Sequence, residues 1–490
     1  MNRLARLMVL ALALLCLFTI GAGAEVAHLM PPRLALFQMP SISGTSRAAA
    51  VKALRSVSDP SDPSHRAGAE RPPTAAAVTG ELSALIGTGR LGQQVGALVV
   101  NYSTGHVLYA LNPDTGFTPA STTKVATAVA AIHTLGPEAR FTTAVRLAAD
   151  GRGLVLVGGG DPTLAAGRYP ASFYPQPASL VTLAARTARA LRAKGISSVR
   201  LSYDNALFTG PTQALGWPAL GSQDNYISSG NVAPITALEV DQGRLTSASL
   251  PQDADVSANP LARSMRPGHD AATAFARFLR KDEITVSNSP VQERPGHGDQ
   301  GSIIAAVKSA TLAQMAQWML QESNNVIAET LARQVAIATG RPGTFTGAAR
   351  AVMAVDAKLG VRGIHLYDGS GLSPLDLISP RALVKLVELA AGQRLPGLRA
   401  VITGLPVAGF SGTLGPGSFF GPFGPAALGT VRAKTGNITG VATMAGFAYA
   451  RDGALLAFAF MGNGIDKKLG LQPESMLSEL ATTLAGCGCR

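Results

Sequence analysis

The stretch TVRAKTGNITGVATMAGFAYARDGALLAFAFMGN, residues 430–463, reads as three strands with turns at 437–440 and 451–453. Apolar and β-branched runs separated by such short turns make an antiparallel meander, the most restrictive pattern in the chain. Residues 473–484 follow it with Met476, Leu477, Leu480 and Leu484 on one face of a helix, which is expected to pack on that sheet.

Helical periodicity also marks Leu312, Met315, Ala316, Met319 and Leu320 as one apolar stripe. The polar run QESNNV, residues 321–326, interrupts it, and a second helix follows. Earlier in the chain, residues 81–86 suggest a short helix, and QQVGALVVNYSTGHVLYALN, 93–112, a hairpin broken at Ser103, Thr104 and Gly105. Between them GTGRLG, 87–92, matches a dinucleotide-binding pattern in reversed context: it follows a helix and opens a strand, so it is read as a turn. Residues 141–305, rich in Gly and Pro with short apolar runs, read as a β-rich insert with some helix, for example 271–279.

At 490 residues, 47% hydrophobic and 15% charged, the chain is globular and long enough for two or three domains. Residues 1–24 carry Arg3 and Arg6, an apolar run from Leu7 to Ile20 and small residues Ala22 and Ala24, the pattern of a secretory signal; an uncleaved N-terminal anchor is the alternative. Either way the body is exported. Residues 25–80 have linker composition. The insert divides the rest of the body into a first part, 81–140, and a second, 306–485, with a Cys-containing tail at 486–490. Removing the leader takes away two arginines and no acid, so the formal charge falls from +12 to +10. A basic exported protein is drawn to anionic envelope polymers or a membrane surface. Nucleic acid is not an expected partner, since no basic run is interleaved with aromatics. Cys487 and Cys489 are too close for an unstrained disulfide and too few for zinc, so an oxidised or disordered surface tail is expected. The seven histidines are scattered; no metal and no cofactor are expected.

The chemistry begins at FTPASTTKVATAVAAIHTLG, 117–136, where Ser121 and Lys124 stand three apart at the start of an alanine-rich helix. A serine there is ordinarily an N-cap. Residues three apart share a face, however, so the Lys124 amine can reach the Ser121 hydroxyl and act as the base of a nucleophile. Ser323 and Asn325 in the helix interruption, and Lys434, Thr435 and Gly436 in the first strand of the meander, complete an ordered trio of Ser-x-x-Lys, Ser-x-Asn and Lys-Thr-Gly. An SNN run is otherwise a helix cap or turn. Ser370 in DGSGLSP is a rival nucleophile without the G-x-S-x-G elbow or a His/Asp pairing.

The trio, together with FTPASTTK, VGGGDPTL (157–164), DGSGLSP (368–374), ISP (378–380), LPVAGFSGTL (405–414) and AKTG, resembles the class C low-molecular-mass penicillin-binding proteins, the D-alanyl-D-alanine carboxypeptidase/endopeptidase family of bacterial envelopes. The resemblance runs from about residue 81 to 463. The long interval between the first two motifs fits this family's inserted domains. Class A β-lactamases have a shorter interval and an E-x-x-x-N element that is missing between 326 and 433.

The resemblance implies an α/β (α+β) fold: a penicillin-binding, serine β-lactamase-like domain with an antiparallel sheet flanked by helices, plus inserted β-rich domains. It implies an acyl-enzyme on Ser121, formed from peptidoglycan stem peptides ending in D-Ala-D-Ala and mimicked by β-lactams as inhibitors. Lys124 must be neutral to serve as base, which calls for desolvation and repulsion from a second cation, for which Lys434 is the candidate. Ser323 would relay a proton to the leaving amine, and Asn325 would hold Lys124 or the substrate amide. Lys434 and Thr435 would bind the free carboxylate while Gly436 lets the substrate backbone lie close. Backbone N–H groups of Ser121 and Asn437 are the expected oxyanion donors, with Asn437 standing where the family has Thr or Ser. The alternatives are a β-lactamase and a non-catalytic envelope-binding protein on the same fold.

Overall fold

The first elements are α1 (Ala75–Ile86), the hairpin β1 (Gln94–Asn101) and β2 (Val107–Leu111), and α2 (Thr123–Leu135). A second group follows: β3 (Thr142–Leu147), β4 (Gly153–Val157), α3 (Leu180–Arg192), β5 (Ser198–Asp204), α4 (Pro267–Lys281), β6 (Thr285–Val286), β7 (Gln292–Glu293) and β8 (Ser302–Lys308). The chain then forms α5 (Leu312–Gln321), α6 (Asn325–Ala338), α7 (Phe345–Lys358), β9 (Ile364–His365), β10 (Leu377–Ile378), α8 (Pro380–Ala391) and α9 (Arg399–Gly404). It ends with β11 (Val431–Ile438), β12 (Val441–Tyr449), β13 (Leu455–Asn463) and α10 (Pro473–Gly486). This computed structural model describes residues 73–220, 222, 224–245, 262–289, 291–296, 300–466 and 469–487. The expected leader, most of the expected linker and Cys489 lie outside the described residues.

The meander forms as its pattern requires, and the hairpin completes it: the strand order is β11-β12-β13-β1-β2, antiparallel throughout. Side chains alternate across this sheet. Leu456, Phe458 and Phe460 face a layer made with α1 and α10, while Ala457, Ala459 and Met461 face α2 and α5 to α9. The Met315, Met319 and Leu320 stripe of α5 is wholly buried in that second layer. Truncating any one of them to alanine would cost about 2–5 kcal/mol. A capping box of Thr311 and Gln314 starts α5.

Two helices differ from the sequence reading. The helix expected over 81–86 begins earlier, at Ala75, because Thr74 caps it by accepting from the Ala77 N–H. In the insert, α3 is a full helix begun by Ser179, with Leu180, Leu183, Ala184 and Leu191 buried. It is the crossover that lets β5 lie parallel to β4. The insert's strands form a six-stranded sheet, β6-β5-β4-β3-β8, with β7 also beside β5; α3 and α4 cover it. The insert is therefore mixed α and β. Cys487 is disulfide-bonded, the oxidised state the sequence reading offered, but it is buried rather than on the surface.

Candidate active site

Ser121 sits in a single 3-10 turn, Ala120–Thr122, that runs directly into α2. The turn is held from three strands. Asn463 at the end of β13 accepts from the Thr118 N–H at 2.8 Å and donates to the Thr118 carbonyl at 3.2 Å. From β12, Thr443 donates its hydroxyl to the Pro119 carbonyl at 2.7 Å. From β11, Gly436 lies so close that a β-carbon there would stand 2.7 Å from the Pro119 oxygen and 2.9 Å from the Ser121 nitrogen. The close approach that this glycine permits is thus between the chain's own strand and the serine turn. Ala120 is held at φ +46°, a left-handed conformation rare for a residue with a side chain and typical of positions fixed by their surroundings.

The serine hydroxyl caps nothing; neither Pro119 nor Thr122 shows a side-chain cap bond. It meets Lys124, whose Nζ lies 2.7 Å from the Ser121 Oγ. Nζ also donates to the Asn325 Oδ1 and to the Ser370 carbonyl, each at 2.8 Å. Lys124 is wholly buried, and desolvation brings its pKa down to about 7 although Asp368 and Glu329 pull the other way.

The run Ser323-Asn324-Asn325 divides its labour. Asn324 is the N-cap of α6, accepting from the Ile327 N–H at 3.0 Å, as the cap reading had it. Ser323, at φ +53°, instead accepts from Lys434 at 2.9 Å. Asn325 has both ends of its amide engaged, because its Nδ2 donates to the Asn231 carbonyl at 3.0 Å while its Oδ1 faces Lys124. Lys434 also donates to the Thr435 carbonyl at 2.8 Å, and the Thr435 hydroxyl is bonded to that of Thr413 at 2.7 Å. Asn437 is exposed and its side chain donates to Glu474. Lys434 is held well below the usual lysine range, first by burial and then by the Lys124 charge. The expected lysine–lysine repulsion therefore falls on Lys434, whereas burial is what lowers Lys124.

Several residues that sequence reasoning missed shape this site. Asp368 accepts from the backbone N–H groups of Ser370, Gly371 and Ser373 at 3.1, 2.7 and 2.6 Å and from the Trp217 indole at 2.8 Å. Glu329 on α6 accepts from Gly369 and Ser370 at 3.0 and 2.8 Å, and burial beside Asp368 raises its pKa to about 8. Gln242, at φ +58° in the insert, accepts from the Asn324 amide at 2.8 Å. The DGSGLSP block was the available signal for Asp368; nothing in sequence marked Glu329, Gln242 or Asn231. Ser370, the rival nucleophile, is wholly buried and faces Lys124 with its carbonyl. Among the described residues, no group of three or more His, Cys, Asp and Glu converges to hold a metal ion.

A serine paired with a buried, easily neutralised amine, beside a second lysine and a serine bonded to it, is equipped for acyl transfer. The sequence matches the D-Ala-D-Ala carboxypeptidase 3 (S13) family over residues 78–258 and 245–484, and the chain belongs to that family. It is 35% identical over 421 residues to the carboxypeptidase DacB of Mycolicibacterium smegmatis, and 34% identical over 426 residues to a carboxypeptidase of Mycobacterium tuberculosis, each match covering 85% of both chains. In solved structures it resembles penicillin-binding protein 4 of Haemophilus influenzae, with a TM-score of 0.65 and 25% identity over 82% of this chain and 99% of that one. A structure of that protein complexed with a β-lactam, over the same coverage, gives a TM-score of 0.60.

Proposed function

We propose that the protein is a serine-type D-alanyl-D-alanine carboxypeptidase that acts on peptidoglycan stem peptides through an acyl-enzyme on Ser121 and is acylated there by β-lactams. The observation that carries this reading is the 2.7 Å approach of the buried Lys124 amine to the Ser121 hydroxyl. Family membership and the β-lactam complex of penicillin-binding protein 4 support it.

Neutral Lys124 takes the hydroxyl proton as Ser121 Oγ bonds to the penultimate D-Ala carbonyl carbon. The N–H groups of Ser121 and Asn437 hold the resulting oxyanion. As it collapses, the C–N bond breaks, the leaving amine takes a proton relayed from Lys124 through Ser323, and D-Ala departs. Water then attacks the ester, giving its proton back by way of Lys124 to Ser121 Oγ. Lys434 and Thr435 receive the terminal carboxylate, whose negative charge restores to Lys434 the proton that burial disfavours. A leaving amine on a cross-linked peptide would use the same steps, which is the endopeptidase reaction.

The basic composition and the leader-like pattern of residues 1–24 support export to the cell envelope, with electrostatic attraction to a membrane surface. Among the described residues no helix is long and apolar enough to cross a membrane.

The intact mass of the protein after exposure to benzylpenicillin tests the reading. One stable adduct on the parent and none on Ser121→Ala is expected; an unmodified parent with the drug intact would support the binding-protein alternative, and drug consumed without an adduct a β-lactamase.

A further inference from the structure

The loop 368–373 is a buried polar assembly at the site to which the proposed reaction gives no part. Its backbone is nonetheless fixed at every step: Asp368 receives three of its N–H groups and the Trp217 indole, and Glu329 receives two, sharing the Ser370 N–H with Asp368. The Thr127 hydroxyl, one turn along α2 from Lys124, donates to the Gly369 carbonyl at 2.7 Å. Gly371, at φ +81°, presses on the serine turn so closely that a β-carbon would stand 1.8 Å from the Ala120 oxygen. What all this orients is one carbonyl, that of Ser370, which accepts from Lys124.

A neutral amine has two N–H bonds and one lone pair. Around Lys124 Nζ, the Ser370 carbonyl and the Asn325 Oδ1 are groups that only accept, and the Asn325 amide is locked in that sense because its Nδ2 is committed to the Asn231 carbonyl. Only the Ser121 hydroxyl can donate. We infer that the loop 368–373 is a positioning element for the catalytic lysine: the Ser370 carbonyl and Asn325 Oδ1 consume both N–H groups of the neutral amine, so that its lone pair points at the Ser121 hydroxyl. Without the Ser370 acceptor the amine can rotate about its last bond and spend its lone pair elsewhere. Asp368 and Glu329 act through this carbonyl and through their field on Lys124; Lys434 on β11 faces the same group, and Asp376, whose carboxyl burial pushes well above the usual carboxylate range, lies behind Asp368. None of these acids touches the reacting atoms.

The inference rests on the acyl-serine reading and is tested on the same protein. The bound-state acylation rate and the non-covalent binding constant for benzylpenicillin are measured separately across pH for Thr127→Val and Asp368→Asn. Thr127→Val removes one tie to the loop at almost constant shape and is expected to slow acylation about tenfold with binding unchanged, an effect that Thr127→Ser largely reverses. Asp368→Asn is expected to slow it by about a hundredfold and, by removing a negative charge near Lys124, to move the acidic limb of the profile to lower pH. If both variants acylate as the parent does and only melt earlier, the loop is scaffolding and the inference fails. If Asp368→Asn does not fold, Thr127→Val decides alone. A parent that is never acylated overturns the functional reading and this one with it.

Discussion

Lys124 and Glu239 are both buried ionisable side chains that burial drives towards neutrality, yet their surroundings differ in kind. Lys124 comes down to about 7 with three oxygens around its nitrogen, one of them a serine hydroxyl. Glu239 is pushed up to about 8, and neither of its oxygens has a hydrogen-bond partner among the described residues. It feels Arg263 and Arg333 only through space, and Arg333 is occupied with the Gly343 carbonyl at 3.1 Å and the Phe345 ring at 4.3 Å. Burial drives both groups towards neutrality; what sets Lys124 apart, as the proposed base, is a set of convergent acceptors beside a proton donor.

Replacing Lys124 by Met should give the largest effect. Acylation by benzylpenicillin should fall by about 10²–10⁴, the usual worth of a general base, and the rise of the parent's rate with pH through about 7 should vanish. Because a buried amine is exchanged for an apolar side chain of similar length, the variant should also melt at a higher temperature than the parent. A loss below threefold would mean that the base lies elsewhere.

Gly436→Ala comes next. Its methyl group would meet Thr443, Pro119 and Ser121 within 3 Å, so β11 must shift from the serine turn. Stopped-flow acylation should slow by roughly 10- to 100-fold, as about 1–3 kcal/mol of overpacking is spent at the reacting atoms.

Glu239→Gln should leave acylation within about twofold, since the group touches no partner in the site. Its signature is in stability. The native pKa of Glu239 lies above the unfolded one, so between about 4.5 and about 8 the folded state holds more protons, and stability falls as pH rises. The amide removes that component, and the variant's melting temperature should decline less than the parent's across the window. A slowed acylation would erase the contrast with Lys124.

Local pattern made much of the fold legible. The meander, the stripe of α5 and the interruption before α6 each lie within one contiguous stretch, where alternation, helical spacing and polar residues act over a few positions. The ordered motifs then pointed to Ser121, Lys124, Ser323, Asn325 and Lys434, and the contacts among them need no distant information beyond the fold. The insert was harder. Its β5 pairs in parallel with β4 across α3 and with β6 and β7 from beyond α4, and such pairings leave no turn signature. The helix α3 had a signal that went unread: Ser179 before Leu180, Leu183, Ala184 and Leu191. The Ser370 and Asn231 contributions could not be read at all, because a backbone carbonyl carries no side-chain identity.

The Asn231 carbonyl and the Gln242 amide reach from the insert to the two asparagines at the start of α6. The insert therefore takes part in orienting the proposed site. A shortened chain built by joining residue 140 to residue 306 would keep Ser121, Lys124 and β11, but the Asn325 amide would lose its Asn231 partner and be free to turn its Nδ2 towards Lys124.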